Sequence, residues 1–374
     1  LAIWPLSFFF RSVGGFFIKR SFSGERLHPA IFSRYLKELI FRGYPVEFYI
    51  EGGRSRSGKL LPPRVGVLGM VLEAAEVRPH DHEVTLLPIA LAYEEVAEEG
   101  AYMREASGEE KRPESMGQVF RARSVLKRRF GRVYLRVGEP IRCSEVVDAE
   151  TDRVPWTERD EAVRKDQLHA LGRRVIERIG AVTVVLPTCL VSAALLAHHR
   201  RGVHQTELQQ RIRRFRTLLQ GVGALEAASL QQHDQAVRNA LDRLARAGHI
   251  EALEHDGARI WSVEPGSRIS LEFYKNQLLH YFAPAGFVAL AFRCEPDGDV
   301  SSATLEDHVG FLMDLWESEF VFGPDQTAAS VVAEGLAALE RHEAARKGDN
   351  GWRVDTVDRM GKLYQLFRNF VEAW

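Results

Sequence analysis

The sequence predicts an α/β domain, a mixed sheet flanked by helices, followed by a mostly helical C-terminal region with a winged-helix-like unit. Three observations carry this. Runs rich in β-branched and aromatic residues alternate with helix-period runs as far as Val137. The later half is dominated by amphipathic helical patterns. Two helical patterns after His204 are followed by two short strand patterns around Asp256-Gly257, a hairpin signal.

The elements follow in order. Strand patterns cover Val46–Ile50, Val84–Tyr93 and Arg132–Val137, and helical patterns cover Pro29–Phe41, Val65–Glu76 and Met116–Arg129. Residues Val96–Ser115 are charged and poor in apolar side chains, which reads as a surface excursion. A charged amphipathic helix over Glu158–Ile179 closes the first domain, placed at residues 1–180. The second unit, residues 181–265, opens with Ala181–Ala197, seventeen residues without a charge. A membrane-spanning helix needs about 20, and Pro187 interrupts this run. A buried or interfacial helix is the reading favoured over a span. His249–Leu253 and Arg259–Val263 form the expected hairpin. Residues 266–374 are read as a helical C-terminal region, ending in an apolar stripe from Val357 to Trp374.

Composition narrows the function. The chain has 374 residues, 45% hydrophobic and 27% charged, the balance of a globular protein rather than a disordered or polytopic membrane chain. Its 50 Lys+Arg and 51 Asp+Glu cancel, so net charge argues for no nucleic-acid partner. Three cysteines, Cys143, Cys189 and Cys294, stand far apart, in neither a disulfide nor a zinc spacing. The first residue is Leu1 and no signal-peptide pattern follows it. The chain is expected to be a fragment, cut at its N-terminus.

The segment richest in chemistry is Glu51-Gly52-Gly53-Arg54-Ser55-Arg56-Ser57-Gly58-Lys59, directly after a strand pattern. Glycines expose backbone N–H groups, and guanidinium forks bind phosphate oxygens in pairs. Between Leu1 and Arg64 there are eleven Lys/Arg and four Glu, a local excess that suits an anionic ligand. A solvated turn with surface arginines fits the composition equally well. A nucleotide-hydrolase loop does not fit. Leu60 stands where Ser or Thr must hold magnesium, and Leu61-Pro62-Pro63 cannot continue a helix already begun.

These residues resemble the glycerol-3-phosphate acyltransferase family. Glu51 to Gly58 resembles the family's third motif. Gly14-Gly15-Phe16-Phe17-Ile18-Lys19-Arg20 resembles the second, and Leu86-Leu87-Pro88-Ile89 with Tyr93-Glu94 the fourth. Gly138-Glu139-Pro140 resembles a strand end beyond the fourth motif. Phe273-Tyr274-Lys275-Asn276-Gln277 resembles a Tyr-Arg-Asn-Asn segment of the large bacterial membrane-associated enzymes. One departure stands out: none of the chain's 13 histidines has Asp five positions on. The family's catalytic His-x-x-x-x-Asp is therefore expected a few tens of residues before Leu1, and no catalytic residue is assigned within the chain.

The resemblance implies transfer of a fatty acyl group from acyl-CoA or acyl carrier protein to the sn-1 hydroxyl of glycerol 3-phosphate. It implies no metal and no cofactor beyond the acyl donor. It assigns Arg54 and Arg56 to the substrate phosphate, with Lys19 and Arg20 completing a cationic wall. Glu51 would accept a hydrogen bond from a glycerol hydroxyl. Gly52 and Gly53 would let the backbone approach, Ser55 belongs to the same loop, and Pro88 would shape the pocket. An acyltransferase acting on dihydroxyacetone phosphate and a non-catalytic phosphate- or lipid-binding homologue remain alternatives. The family implies association with the cytoplasmic face of the bacterial inner membrane. Trp4, Phe8, Phe9, Phe10, Phe16 and Phe17, with Arg11 among them, suit a lipid surface or a packed core.

Other signals carry less. Arg211, Arg213, Arg214 and Arg216 crowd one helix, read as a solvated face or a contact with anionic lipid rather than with nucleic acid. His80-Asp81-His82-Glu83 is read as a surface loop rather than a metal site.

Overall fold

A computed structural model describes residues 6–16, 27–53, 55–79, 82–94, 131–148, 154–198, 202–295, 299–354, 363 and 365–367. The first elements are α1 (Leu6–Ser12), α2 (Leu27–Phe41), α3 (Gly66–Glu76), β1 (Thr85–Leu86), β2 (Ile89–Tyr93), β3 (Val133–Val137), β4 (Ile141–Arg142) and α4 (Ser144–Val147). Then come α5 (Glu161–Ala181), β5 (Val184–Val185), α6 (Pro187–Leu196), β6 (Gly202–His204), α7 (Gln205–Gly221), β7 (Leu225–Glu226), α8 (His233–Arg246), β8 (Ile250–His255) and β9 (Ala258–Val263). The last are α9 (Arg268–Asn276), α10 (Leu279–Cys294), α11 (Ser302–Leu315), α12 (Ala328–Arg341), β10 (Ala345–Lys347) and β11 (Trp352–Val354). The architecture is mixed α/β, with small sheets and many helices. Two compact units interleave along the chain. One comprises Leu1–Tyr49, Val65–Thr85 and Arg142–Leu168; the other Ile50–Arg64, Leu86–Ile141 and His169–Trp374.

In the first unit, α2 packs on α3. Helix α3 buries Leu68, Val71, Leu72 and Ala75, a face at three- and four-residue spacing. Leu36 is the buried residue of α2, and Lys37 pairs with Glu73 at 3.1 Å. Arg159 is buried as well. It donates to the carbonyls of Val146 (3.1 Å), Val147 (2.9 Å) and Val154 (3.2 Å), so its charge is met by backbone dipoles.

The second unit holds the larger core. Every residue of α6 is buried. Pro187 starts that helix, where its missing N–H costs nothing, and an apolar helix of ten residues has no face for water. Helices α7, α8 and α9 surround it. The uncharged run is thus not one helix: it divides into the end of α5, the buried strand β5 and the buried helix α6, because Pro187 suits the start of a helix and not its interior. No described helix is long and apolar enough to cross a membrane. Helices α10, α11 and α12 pack together, and Gly335 lets α12 approach the Pro284 carbonyl of α10. Phe287 centres an aromatic cluster with Trp316 (5.4 Å between centroids), Phe320 (5.3 Å) and Phe367 (5.8 Å).

The expected hairpin forms. Strands β8 and β9 are antiparallel, and β6 adds to β9 in the order β6-β9-β8. Asp256 and Gly257 both have positive φ, 48° and 72°, as a two-residue hairpin turn requires. The ribbon of β2 and β3 is antiparallel, with Ile89 facing Val137 and Leu91 facing Leu135. The Val84–Tyr93 pattern is broken at Leu87-Pro88 into β1 and β2. Val46–Ile50 departs from expectation: residues 44–49 join no strand among the described residues, although burial still alternates and ends at buried Ile50. A strand pattern needs a partner edge as well as its own alternation. The expected helix at Met116–Arg129, the excursion at Val96–Ser115 and most of the final stripe lie outside the described residues.

Candidate functional site

The Glu51–Lys59 segment forms a closed loop in the second unit. At its base the Arg64 N–H donates to the Ile50 carbonyl at 2.7 Å. One turn in, the Leu61 N–H donates to Glu51 Oε1 at 3.0 Å. Burial raises the Glu51 pKa and the Leu61 hydrogen bond opposes the rise. Glu51 therefore has a local task, pinning the two limbs of its own loop. Pro62-Pro63 follows, and no helix begins until Gly66.

The glycines divide their work. Gly52 and Gly58 have φ of 68° and 81°, which side chains rarely adopt. A Cβ at Gly52 would run into the Arg64 side chain, and one at Gly58 into the Phe273 carbonyl. Gly53 is different: its φ is not positive, and among the described residues a Cβ there would meet nothing within 4 Å. Space for a ligand against the backbone is therefore found at Gly53, whereas Gly52 and Gly58 serve turn and packing.

The cations divide as well. Lys59 turns inward and pairs with Glu319. Burial, then the Lys275 ammonium, lowers the Lys59 amine to about 8 despite that carboxylate. Arg56 is exposed, and the Ser55 hydroxyl is buried with no hydrogen-bond partner among the described residues. Arg54, Lys19 and Arg20 lie outside the described residues.

Behind the loop lies a cavity of about 110 Å³, bordered by Lys59, Leu60, Glu177, His280, Glu319 and Phe320. His280 donates from Nε2 to the Gly180 carbonyl at 3.1 Å, and burial lowers its pKa to about 4. Its Nε2–H is thereby committed to the backbone, and burial disfavours its protonated form. The ring closes the C-terminal end of α5. That end is also where Pro88 belongs. The Gly138 N–H donates to the Pro88 carbonyl at 2.7 Å, Gly138 packs on the Arg178 carbonyl, and Leu60 packs on Gly180. The last turn of α5 is thus a common wall for the loop and for the Pro88 segment. Among the described residues no group of three or more His, Cys, Asp or Glu could hold a metal ion.

Two partners of the loop were not assigned from the sequence. The Asn276 side-chain amide, at the last residue of α9, donates to the Ser57 carbonyl at 2.8 Å. Glu319, in the turn beyond α11, holds Lys59. The Phe273–Gln277 segment stood out only by resemblance, and Glu319 carries no local signal at all.

The arginine cluster on α7 is not a bare cationic face. Arg211 is buried and donates to the Ala194 carbonyl (2.9 Å) and to Glu207 (2.6 Å). Arg216 donates through Nε and Nη2 to the two carboxylate oxygens of Glu226, at 2.6 and 2.7 Å, and Arg213 donates to Asp234 at 3.2 Å. His82 and Glu83 are exposed, and the Ser144 N–H reaches Glu83 at 3.3 Å.

Two family profiles match the chain. The profile described as "Acyltransferase" matches residues 1–92, and that described as "Glycerol-3-phosphate acyltransferase C-terminal region" matches residues 102–374. A protein of Shewanella amazonensis named glycerol-3-phosphate acyltransferase is 32% identical over 98% of this chain and 45% of its own length. One of the same name from Aeromonas hydrophila is 33% identical over 96% of this chain and 44% of its own. A third, from Pseudomonas putida, is 32% identical over 88% of this chain and 40% of its own. The chain thus spans less than half the length of these relatives. With the second profile running over residues 102–374, the chain belongs to the glycerol-3-phosphate acyltransferase family.

Proposed function

We propose that the protein transfers a fatty acyl group from a thioester donor to the sn-1 hydroxyl of glycerol 3-phosphate, and that this chain supplies the phosphate-holding loop. The observation that carries the reading is family membership joined to a Gly- and Arg-rich loop, closed at its base and pinned by Glu51. Arg54 and Arg56 take the phosphate, with Lys19 and Arg20 completing the cationic wall. The open backbone at Gly53 and the Ser55 hydroxyl add neutral donors. Glu51, while pinning Leu61, accepts from a glycerol hydroxyl. Pro88 shapes the acyl side of the pocket.

Chemically, a base removes the proton of the sn-1 hydroxyl as its oxygen attacks the thioester carbonyl. The tetrahedral intermediate collapses, the C–S bond breaks, and the proton passes to the departing thiolate. No metal or further cofactor takes part. A His-x-x-x-x-Asp pair outside this chain supplies the base. The donor is acyl-CoA or acyl carrier protein.

The test is a transfer assay of the natural full-length protein with glycerol 3-phosphate and dihydroxyacetone phosphate offered separately. Acylation of glycerol 3-phosphate with the higher kcat/KM is the expected result. Preference for the ketone acceptor assigns the rival substrate, and turnover of neither sinks the enzymatic reading.

A lipid surface is the proposed neighbour, at the cytoplasmic face of the bacterial inner membrane. Phe8 (70% exposed), Phe9 (60%) and Val13 (66%) on and beside α1 support it. In a flotation experiment with anionic vesicles the protein is expected to rise with the lipid; recovery wholly in the soluble fraction argues against this surface. The β6–β9 segment is read as a winged-helix-like unit that serves as scaffold, with no nucleic acid bound.

A further inference from the structure

The loop from Ser55 to Lys59 holds no helix or strand. Besides the local Glu51 pin, two side chains more than two hundred residues away in sequence hold it. Asn276 lies 219 residues from Ser57 and is 5% exposed; its amide holds the Ser57 carbonyl. Glu319 lies 260 residues from Lys59 and holds its ammonium. Between these anchors, Gly58 lies flat against the Phe273 carbonyl. Residues 57, 58 and 59 are thus each tied to the C-terminal region.

The anchors are themselves rigid. Helix α9 packs on the wholly buried α6. Beside Asn276, the buried Lys275 ammonium donates to the Leu366 carbonyl at 2.9 Å and pairs with Glu272. Glu319 sits between Trp316 and Phe320, whose rings stack into the Phe287 cluster. A loop fixed from such supports presents Arg56 and its neighbours in one geometry before ligand arrives, which saves the ordering entropy of binding.

We propose that Asn276 and Glu319 are positioning residues of the phosphate loop, which hold Ser57 and Lys59 and thereby set the affinity for a phosphomonoester that neither residue touches. The inference rests on the loop being the phosphate site.

The experiment uses the natural full-length protein, with Asn276→Asp and Glu319→Gln made singly. Amide hydrogen exchange of residues 51–60 and KM for glycerol 3-phosphate and for the acyl donor are measured on each. Loss of the Asn276 donor, or of the Glu319 charge that faces Lys59, is expected to speed loop exchange and raise KM for glycerol 3-phosphate by about tenfold. KM for the acyl donor should stay unchanged, a split that general destabilisation would not produce. Exchange at wild-type rates in both variants overturns the inference. Faster exchange with an unaltered glycerol 3-phosphate KM overturns it too. Failure of the underlying phosphate reading shows separately, as an unaltered glycerol 3-phosphate KM in Arg56→Ala. Should Asn276→Asp fold poorly, Glu319→Gln carries the test, because its side chain is 40% exposed.

Discussion

The carbonyl of Phe273 stands where a side chain at Gly58 would have to go. One backbone atom of α9 therefore decides which residue the Glu51–Lys59 loop can carry at that point. The positive φ of Gly58, 81°, makes the same demand independently.

Gly58→Ala must meet both demands at once. Left-handed backbone at a non-glycine residue costs about 1 kcal/mol, and displacing the loop from Phe273 adds about 1–2 kcal/mol. Urea denaturation should show a loss of about 2–3 kcal/mol. Gly53→Ala, with open space at its Cβ, should stay within about 0.5 kcal/mol of wild type.

His280 links stability to pH. Burial holds its folded pKa at about 4, below the ordinary histidine value of 6.5, so between these values the unfolded chain binds the proton and the native one does not. Stability from this group is complete above pH 6.5 and is lost as pH falls toward 4. At about 1.4 kcal/mol per unit the loss approaches about 3 kcal/mol. Denaturation curves across that range should show the slope in wild type and a shallower one in His280→Asn.

The cysteines should differ in reactivity. Cys143 and Cys189 are buried, and burial pushes both thiols up to about 12, whereas Cys294 is exposed. In the native protein a thiol reagent should modify Cys294 alone, with the other two reacting only after unfolding. Prompt labelling of Cys189, inside α6, would contradict the packing described above.

Arg211 and Arg214 look alike in sequence and should behave differently. Arg211→Met leaves the Ala194 carbonyl and the Glu207 carboxylate without their donor, which should cost about 2–4 kcal/mol. Arg214 is exposed, and Arg214→Met should change stability by less than about 0.5 kcal/mol. Thermal and urea unfolding of the two variants make the comparison.

Much was legible without coordinates wherever the cause is local. Helix α3 follows from apolar spacing over eleven residues, and the β8–β9 hairpin from alternation around Asp256-Gly257. The uncharged Ala181–Ala197 run was read as a buried helix in preference to a span, and its Pro187–Leu196 part is the buried α6, with strand β5 before it. The Glu51–Gly58 segment was legible as a loop because its glycines and the prolines after it disfavour regular structure.

The tertiary structure decided what depends on partners remote in sequence. Val46–Ile50 alternates as a strand does, yet it finds no paired edge among the described residues. The three loop cations are equivalent in the sequence, but Glu319 draws Lys59 inward from 260 residues away. Gly52 and Gly53 were read alike as ligand space, but Arg64 claims Gly52 and leaves Gly53 open among the described residues, while Phe273 claims Gly58. The physical reason is range. Backbone propensity and hydrophobic period act over one or two turns of chain, and a sequence displays them directly. Burial, ion pairing and close backbone approach belong to residues that meet only once the chain has folded, and they determine which member of a local cluster faces a ligand.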